Sequence, residues 1–213
     1  MGDELLFNLI VILAFVFTFS YLVGKLLNSR RKKQIGTVIL NILRNRYSKM
    51  KFADLGDTCM RLLCTNGRKG LPEKLELTVL LMDRGNLAYY PINLLKRRGD
   101  YIILKANLKR GPSLSLEIIS LKEGKMVKEI SKIPSEVKFG NDLDNRFVAR
   151  TTELNLAERL LSNHRFRSYL SNMKEDLRRI SISRAEPHIL IMFNVGKQSF
   201  INALNIVSLL NSL

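Results

Sequence analysis

The chain has 213 residues, 35 Lys or Arg against 19 Asp or Glu, a formal charge of +16 and 46% hydrophobic residues, with only two cysteines and two histidines. Cys59 and Cys64 stand five apart with no CxxC pair and only two His elsewhere, which argues against a zinc site and an easy disulfide; they read as buried thiols of a reducing compartment. The roughly 180 residues beyond the N-terminal segment suit one domain.

Leu5 to Gly24 runs for twenty positions without a charge. At 1.5 Å per residue this makes about 30 Å of helix, the thickness of a bilayer's hydrocarbon core. Thr18 and Ser20 are expected to return their hydroxyls to backbone carbonyls, and Asn8 falls near the outer interface. Arg30-Arg31-Lys32-Lys33 follows the run, and Asp3 and Glu4 precede it. The positive-inside rule then puts a short N-terminus outside and the body in the cytoplasm. A cleaved signal peptide is disfavoured by the acidic start, the length of the run and the poor exit at Leu22-Val23-Gly24-Lys25. The expected division is an exterior N-terminus over 1–4, a transmembrane helix over 5–27, a basic amphipathic neck over 28–51 and a cytoplasmic domain over 52–213.

The charge is uneven. The first 24 residues contribute −2, and residues 25–51 carry nine Lys or Arg and no acid, leaving +9 for residues 52–213. Arg30, Arg31, Lys32, Lys33, Arg44, Arg46, Lys49 and Lys51 are the candidate contacts to lipid or RNA phosphates. Juxtamembrane cations gain on the order of 1 kcal/mol each near an anionic leaflet. Lys96, Arg97, Arg98, Lys109 and Arg110 form a candidate secondary basic surface facing the membrane or an RNA-containing particle.

Ile35, Val38, Ile39, Ile42, Leu43, Tyr47 and Met50 recur at three- and four-residue spacing, which predicts an amphipathic helix over about 34–50. It lies either on headgroups or on the following domain. Cys59 to Cys64 reads as a short helical stretch ended by a turn around Asn66-Gly67. Leu75–Met82 and Tyr101–Leu108 read as strands, with a loop at Asp83-Arg84-Gly85-Asn86 between them. Leu114–Leu121 reads as the hairpin partner of the second strand, and Met126–Ile130 as a continuation of the sheet. Arg146–Arg150 is a strand and Thr151 or Thr152 an N-cap for the helix carrying Leu154, Ala157, Leu160 and Leu161. A second helix is expected over His164–Leu177. Ile180–Ser183 and Ile189–Val195 then make a closing β pair, and Phe200 to Leu210 a final helix. Strands come first and helices later without βαβ alternation, so the expected class is α+β.

No enzyme motif is found. Gly196-Lys197-Gln198-Ser199 lacks the upstream glycine of a phosphate-binding loop, Ile191 standing in its place, and reads as a turn and helix cap. His164 and His188 have no nucleophile or paired carboxylate at motif spacing and read as surface or interface residues. Asp142-Leu143-Asp144-Asn145 reads as a turn rather than a Ca²⁺ loop. No cofactor, metal or small-molecule substrate is expected, and sequence-specific RNA binding is disfavoured by the scarcity of stacking aromatics.

Three collinear stretches resemble the cytosolic domain of the calumin-like subunits of the PAT complex at the multipass translocon. They are Asp83–Asn86 through Tyr101–Arg110, Asn141–Val148 with the helix after it, and Ile189–Val195 followed by Ala203–Leu210. The resemblance covers about half of the chain and implies a non-enzymatic adaptor that assists membrane-protein insertion beside the Sec channel. Calumin-like proteins also carry a long acidic outer segment and a basic coiled-coil tail, for which this sequence has no counterpart. The resemblance therefore implies a reduced relative whose basic neck and loops supply any ribosome contact. The competing expectations are an interaction subunit of another envelope complex, for secretion or filament assembly, and a membrane-tethered nucleic-acid binder.

Overall fold

The computed structural model describes residues 2–68, 70–87, 89–95, 99–140 and 142–212. Lys69 of the Asn66–Gly70 turn, Asn141 and the basic triplet Lys96, Arg97 and Arg98 lie outside the described residues. The fold is α+β, with six α-helices and a nine-stranded antiparallel sheet among the described residues.

Helix α1 (Gly2–Leu43) is continuous, so the apolar run and the first half of the neck are one rod. Among the described residues it is the one helix long and apolar enough to cross a membrane, and none of its most apolar stretch is buried against the body. Inside that stretch the Thr18 hydroxyl donates to the Ala14 carbonyl at 2.8 Å, as expected of a hydroxyl in an apolar helix. Further along, Ile35, Ile39 and Leu43 are buried, so this half of the neck packs on protein.

The expected helix over 34–50 ends early. Arg46 N–H donates to the Leu43 carbonyl in a turn, and β1 (Tyr47–Asp54) begins at once. Tyr47 fitted the helical spacing because it is a core residue like Leu43, but it is buried as a strand residue. Cys59–Cys64, expected as helix, lies in β2 (Cys59–Gly67), where an apolar run this short is compatible with either state. Both cysteines are free; Cys64 is fully buried, and burial pushes its thiol up to about 12.

The sheet continues with β3 (Lys74–Leu80) and, after helix α2 (Tyr89–Leu95), β4 (Tyr101–Asn107). β5 (Leu116–Ser120) follows, then α3 (Gly124–Ile130), β6 (Ser135–Val137), a 3₁₀ turn at Asp142–Asn145 and β7 (Phe147–Thr151). α4 (Leu154–Ser162), α5 (His164–Asn172), β8 (Leu177–Ile182), β9 (Ile189–Asn194) and α6 (Lys197–Ser212) complete the chain. The strand order is β1-β2-β3-β4-β9-β8-β5-β7-β6. β5 is therefore not the hairpin partner of β4: the closing hairpin β8-β9 inserts between them, with Leu104 opposite Ile191 and Ile118 opposite Ile180. Met126–Ile130 is helix rather than strand, and its Ile130 is buried on β5.

Alternation in β2, β3, β4 and β9 sends Leu62, Leu77, Leu104 and Ile191 to one face, where α1, α4, α5 and α6 cover a single core. Neither Thr151 nor Thr152 caps α4. Thr151 is the buried end of β7 and donates to the Ser115 carbonyl at 2.7 Å, while Glu153 holds the N-cap position without a side-chain cap. Asn163 caps α5, its side chain accepting from the N–H groups of Arg165 and Phe166. That helix stops at Asn172, short of the expected Leu177, which opens β8.

Because Leu43 closes α1 on the core with no exposure, Leu43→Ala is expected to lower the stability of the body by about 2–5 kcal/mol. Leu13→Ala, on the apolar half of the same helix, should leave it unchanged. Denaturant unfolding of the full chain in mild detergent measures both.

Candidate functional site

Gly24, Asn28, Ile35, Ile39 and Leu43 are the buried positions of α1. Their spacing of four, with one step of seven, keeps them on one side of the helix. The lower part of this side is apolar and the upper part polar. The polar part meets Asp100, which stands directly before β4 with its side chain 5% exposed.

Four donated hydrogen bonds converge on that carboxylate. Met82 N–H donates to Oδ1 at 2.9 Å, Arg84 Nη2 to both oxygens at 2.9 and 3.1 Å, and Arg31 Nε to Oδ2 at 3.2 Å. The other terminal nitrogen of Arg84 donates to Asn28 Oδ1 at 2.8 Å. Burial by itself would push the Asp100 carboxyl up. The bonds from Arg84 and Met82, the Arg84 charge and the bond from Arg31 together outweigh burial and hold it below the usual carboxylate range. One acid thus ties α1, the β3–α2 loop and the start of β4 into one unit.

A backbone contact reinforces this clamp. Asp83 Oδ1 accepts the Gly85 N–H at 3.1 Å and tightens the loop, which brings Gly85 against α1. A Cβ on Gly24 would stand 2.2 Å from the N and Cα of Gly85, and one on Gly85 would stand 3.2 Å from the Tyr21 carbonyl. Glycine at position 24 is required for this approach, and a side chain at position 85 would crowd it.

The basic residues are separated by the fold. Lys32 donates to Asp54 Oδ1 at 2.6 Å and to the Gly56 carbonyl at 2.8 Å, while Arg31 is on Asp100. Arg30 and Lys33 are exposed, Arg44 is exposed just past the end of α1, and Arg46 is half-buried in the turn. Lys49 and Lys51 are exposed on β1, opposite Thr65 and Leu63. Strand alternation places them on the sheet face away from α1, whereas Phe52 shares a small cleft with Ile39 and Leu40. Lys109 and Arg110 are exposed beyond the far end of β4, about 20 Å of strand from Asp100. No single surface joins all of these residues.

Between α1 and the start of α6 lies a cleft of about 200 Å³. Its floor is apolar, from Ile35, Val38, Ile102 and Phe200, and Arg31 and Lys197 stand at its edge. The nearby Gly196–Ser199 segment is a turn and cap. The Asp176 carboxylate, hydrogen-bonded by the Ser199 hydroxyl, occupies the first turn of α6 where a phosphate would sit.

His164 is exposed, but His188 is buried rather than a surface residue, and its Nδ1 accepts the Leu108 N–H at 3.0 Å. Asp144 accepts from the N–H groups of Phe139 and Gly140, which makes it a turn residue. Among the described residues no group of three His, Cys, Asp or Glu is placed to hold a metal ion.

Sequence reasoning quoted the Asp83–Asn86 loop but missed Asp100, Arg84 and Asn28 as partners. The available signals were a lone acid at the mouth of an apolar strand and a lone Asn at the end of an apolar run. A scan against protein-family models and a search of curated proteins return no match for this chain.

Asp100→Asn leaves the half-buried Arg84 without its counter-charge and is expected to cost about 3 kcal/mol of stability. Since the folded carboxyl is held below its unfolded value, the clamp's contribution is fully present above the ordinary carboxylate range. It is lost as pH falls through the lowered folded value, below about pH 4. Unfolding of the full chain in detergent from pH 7 to pH 3 should show an acid-induced loss that is smaller in Asp100→Asn. Gly24→Val should free the loop from α1, seen as faster limited proteolysis after Arg84.

Proposed function

We propose that this chain is a single-pass membrane protein, N-terminus outside and body in the cytoplasm, that acts as a non-enzymatic adaptor in membrane-protein insertion beside the Sec translocon and ribosome. The observation that carries this reading is the junction between rod and body. The unbroken α1, the Asp100 clamp and the Gly24–Gly85 contact leave no flexible linker between the apolar run and the sheet. A body joined in this way is presented at one height and one angle above a bilayer, which is what an adaptor between membrane-embedded and cytoplasmic partners needs.

Orientation follows from the charges that flank the run, with Arg30 and Lys33 free to meet lipid or ribosomal RNA phosphates on the cytoplasmic side. The translocon as partner follows from the resemblance to calumin-like subunits. Polar contacts to translocon proteins would fall on the body.

Sedimentation of native membranes solubilised in mild detergent tests the proposal. The chain should migrate with ribosomes and the Sec channel at low salt and separate from ribosomes at high salt. Arg30→Gln with Lys33→Gln should weaken the ribosome association severalfold without loss of fold, because neither side chain has an internal ion pair among the described residues. Migration with neither particle at any salt would redirect the assignment to another envelope complex. Retention of naked RNA with steep salt dependence would favour the nucleic-acid binder.

A further inference from the structure

Helix α2 is difficult to account for in water. Its sequence is Tyr-Tyr-Pro-Ile-Asn-Leu-Leu, and it buries no residue against the body. Tyr89 is 63% exposed, Ile92 43%, Leu94 52% and Leu95 84%, with Leu87 also exposed just before the helix. A helix of two turns gains little from its own hydrogen bonds and is normally held by packing of an apolar face. Among the described residues none of its apolar side chains is buried.

The position of the helix suggests what covers it. Tyr89 N–H donates to Asn86 Oδ1 at 3.2 Å and Tyr90 N–H to the Asn86 carbonyl at 2.8 Å, so α2 starts directly from the loop that touches α1. That loop meets α1 at Tyr21 and Gly24, inside the uncharged run. Gly24 is six residues before Arg30, or about 9 Å along the helix axis. If Arg30 lies among lipid phosphates, the loop and the start of α2 lie below them, at the boundary of headgroups and acyl chains. Tyr21, Tyr89 and Tyr90 are side chains that favour this depth. In the sequence three positive charges, Lys96-Arg97-Arg98, come directly after α2, and cations next to an apolar segment favour an anionic leaflet.

We propose that α2 is a second membrane contact: a short interfacial helix that sinks Ile92, Leu94 and Leu95 into the edge of the cytoplasmic leaflet beside α1. The occupant of this exposed apolar surface is an anionic bilayer. The inference rests on α1 spanning that bilayer. A second point of attachment, rigidly joined to α1, limits the tilt of the rod and body in the bilayer.

The chain contains no tryptophan, so one introduced tryptophan reports alone. Three single variants of the full chain are reconstituted into phosphatidylcholine–phosphatidylserine vesicles with bromine on the acyl chains near the headgroup. They are Leu95→Trp in α2, Leu13→Trp in the apolar run and Leu154→Trp at an exposed position of α4. The expected result is a blue-shifted emission for Leu95→Trp, lost in brominated vesicles, with an unshifted and unquenched Leu154→Trp. Leu95→Trp emission matching that of Leu154→Trp, with Leu13→Trp blue-shifted and shielded from an aqueous quencher, would overturn the interfacial helix and leave the span standing. An aqueous-exposed Leu13→Trp would overturn both. Bromine quenching of Leu154→Trp as well would overturn the specific placement, because the whole body would then lie on lipid.

Discussion

The buried Asp100 carboxylate sets the geometry of the molecule. Removing a charge from water is costly, and this one is offset only because Arg84, Arg31 and the Met82 N–H all point at it. Those donors come from α1 and from the loop after β3, and the acid itself from the segment entering β4, so satisfying the charge requires all three in one arrangement. The apolar side of α1 would tolerate a slide of one turn, since Ile35, Ile39 and Leu43 repeat every four residues. The clamp does not tolerate it, because a shifted Arg31 and Asn28 would take one hydrogen bond from Asp100 and one from Arg84. Its value lies in register more than in net stability.

In the proposed membrane orientation that register would set how the body meets a bilayer. Below the clamp α1 is covered by the sheet and α6, and above it α1 is bare and apolar. The transition occurs within a turn or two, at Gly24–Asn28. The loop and the start of α2 lie at the same level.

The charge of the chain is used in more than one way. Arg31 and Lys32 are adjacent, yet each turns to an acid of the body, while Arg30 and Lys33 on either side remain in solvent. Beyond the turn at Arg46 the period changes from helical to strand, and Lys49 and Lys51 pass to the other face of the sheet. On β1, an edge strand, charges of this kind discourage pairing with another sheet. A cluster that is dense in sequence is therefore divided between internal ion pairs, a solvated helix face and an edge strand.

The apolar run, the strands β3, β4 and β9, the helices near the C-terminus and the α+β class were legible in the sequence, because each follows from a local period or length. The state of short apolar segments was not. Residues 47–50, Cys59–Cys64 and Met126–Ile130 fit helix or strand equally well, and their long-range neighbours chose. The pairing of β5 was also beyond local reading, since β8 and β9 arrive more than 60 residues later and take the place beside β4. The clamp was hidden for the same reason: Asp100 and Arg31 stand 69 residues apart, and nothing in either neighbourhood names the other. Periodicity records which side of an element seeks burial. Which element provides that burial, and which charge answers which, depends on the folded chain bringing distant segments together.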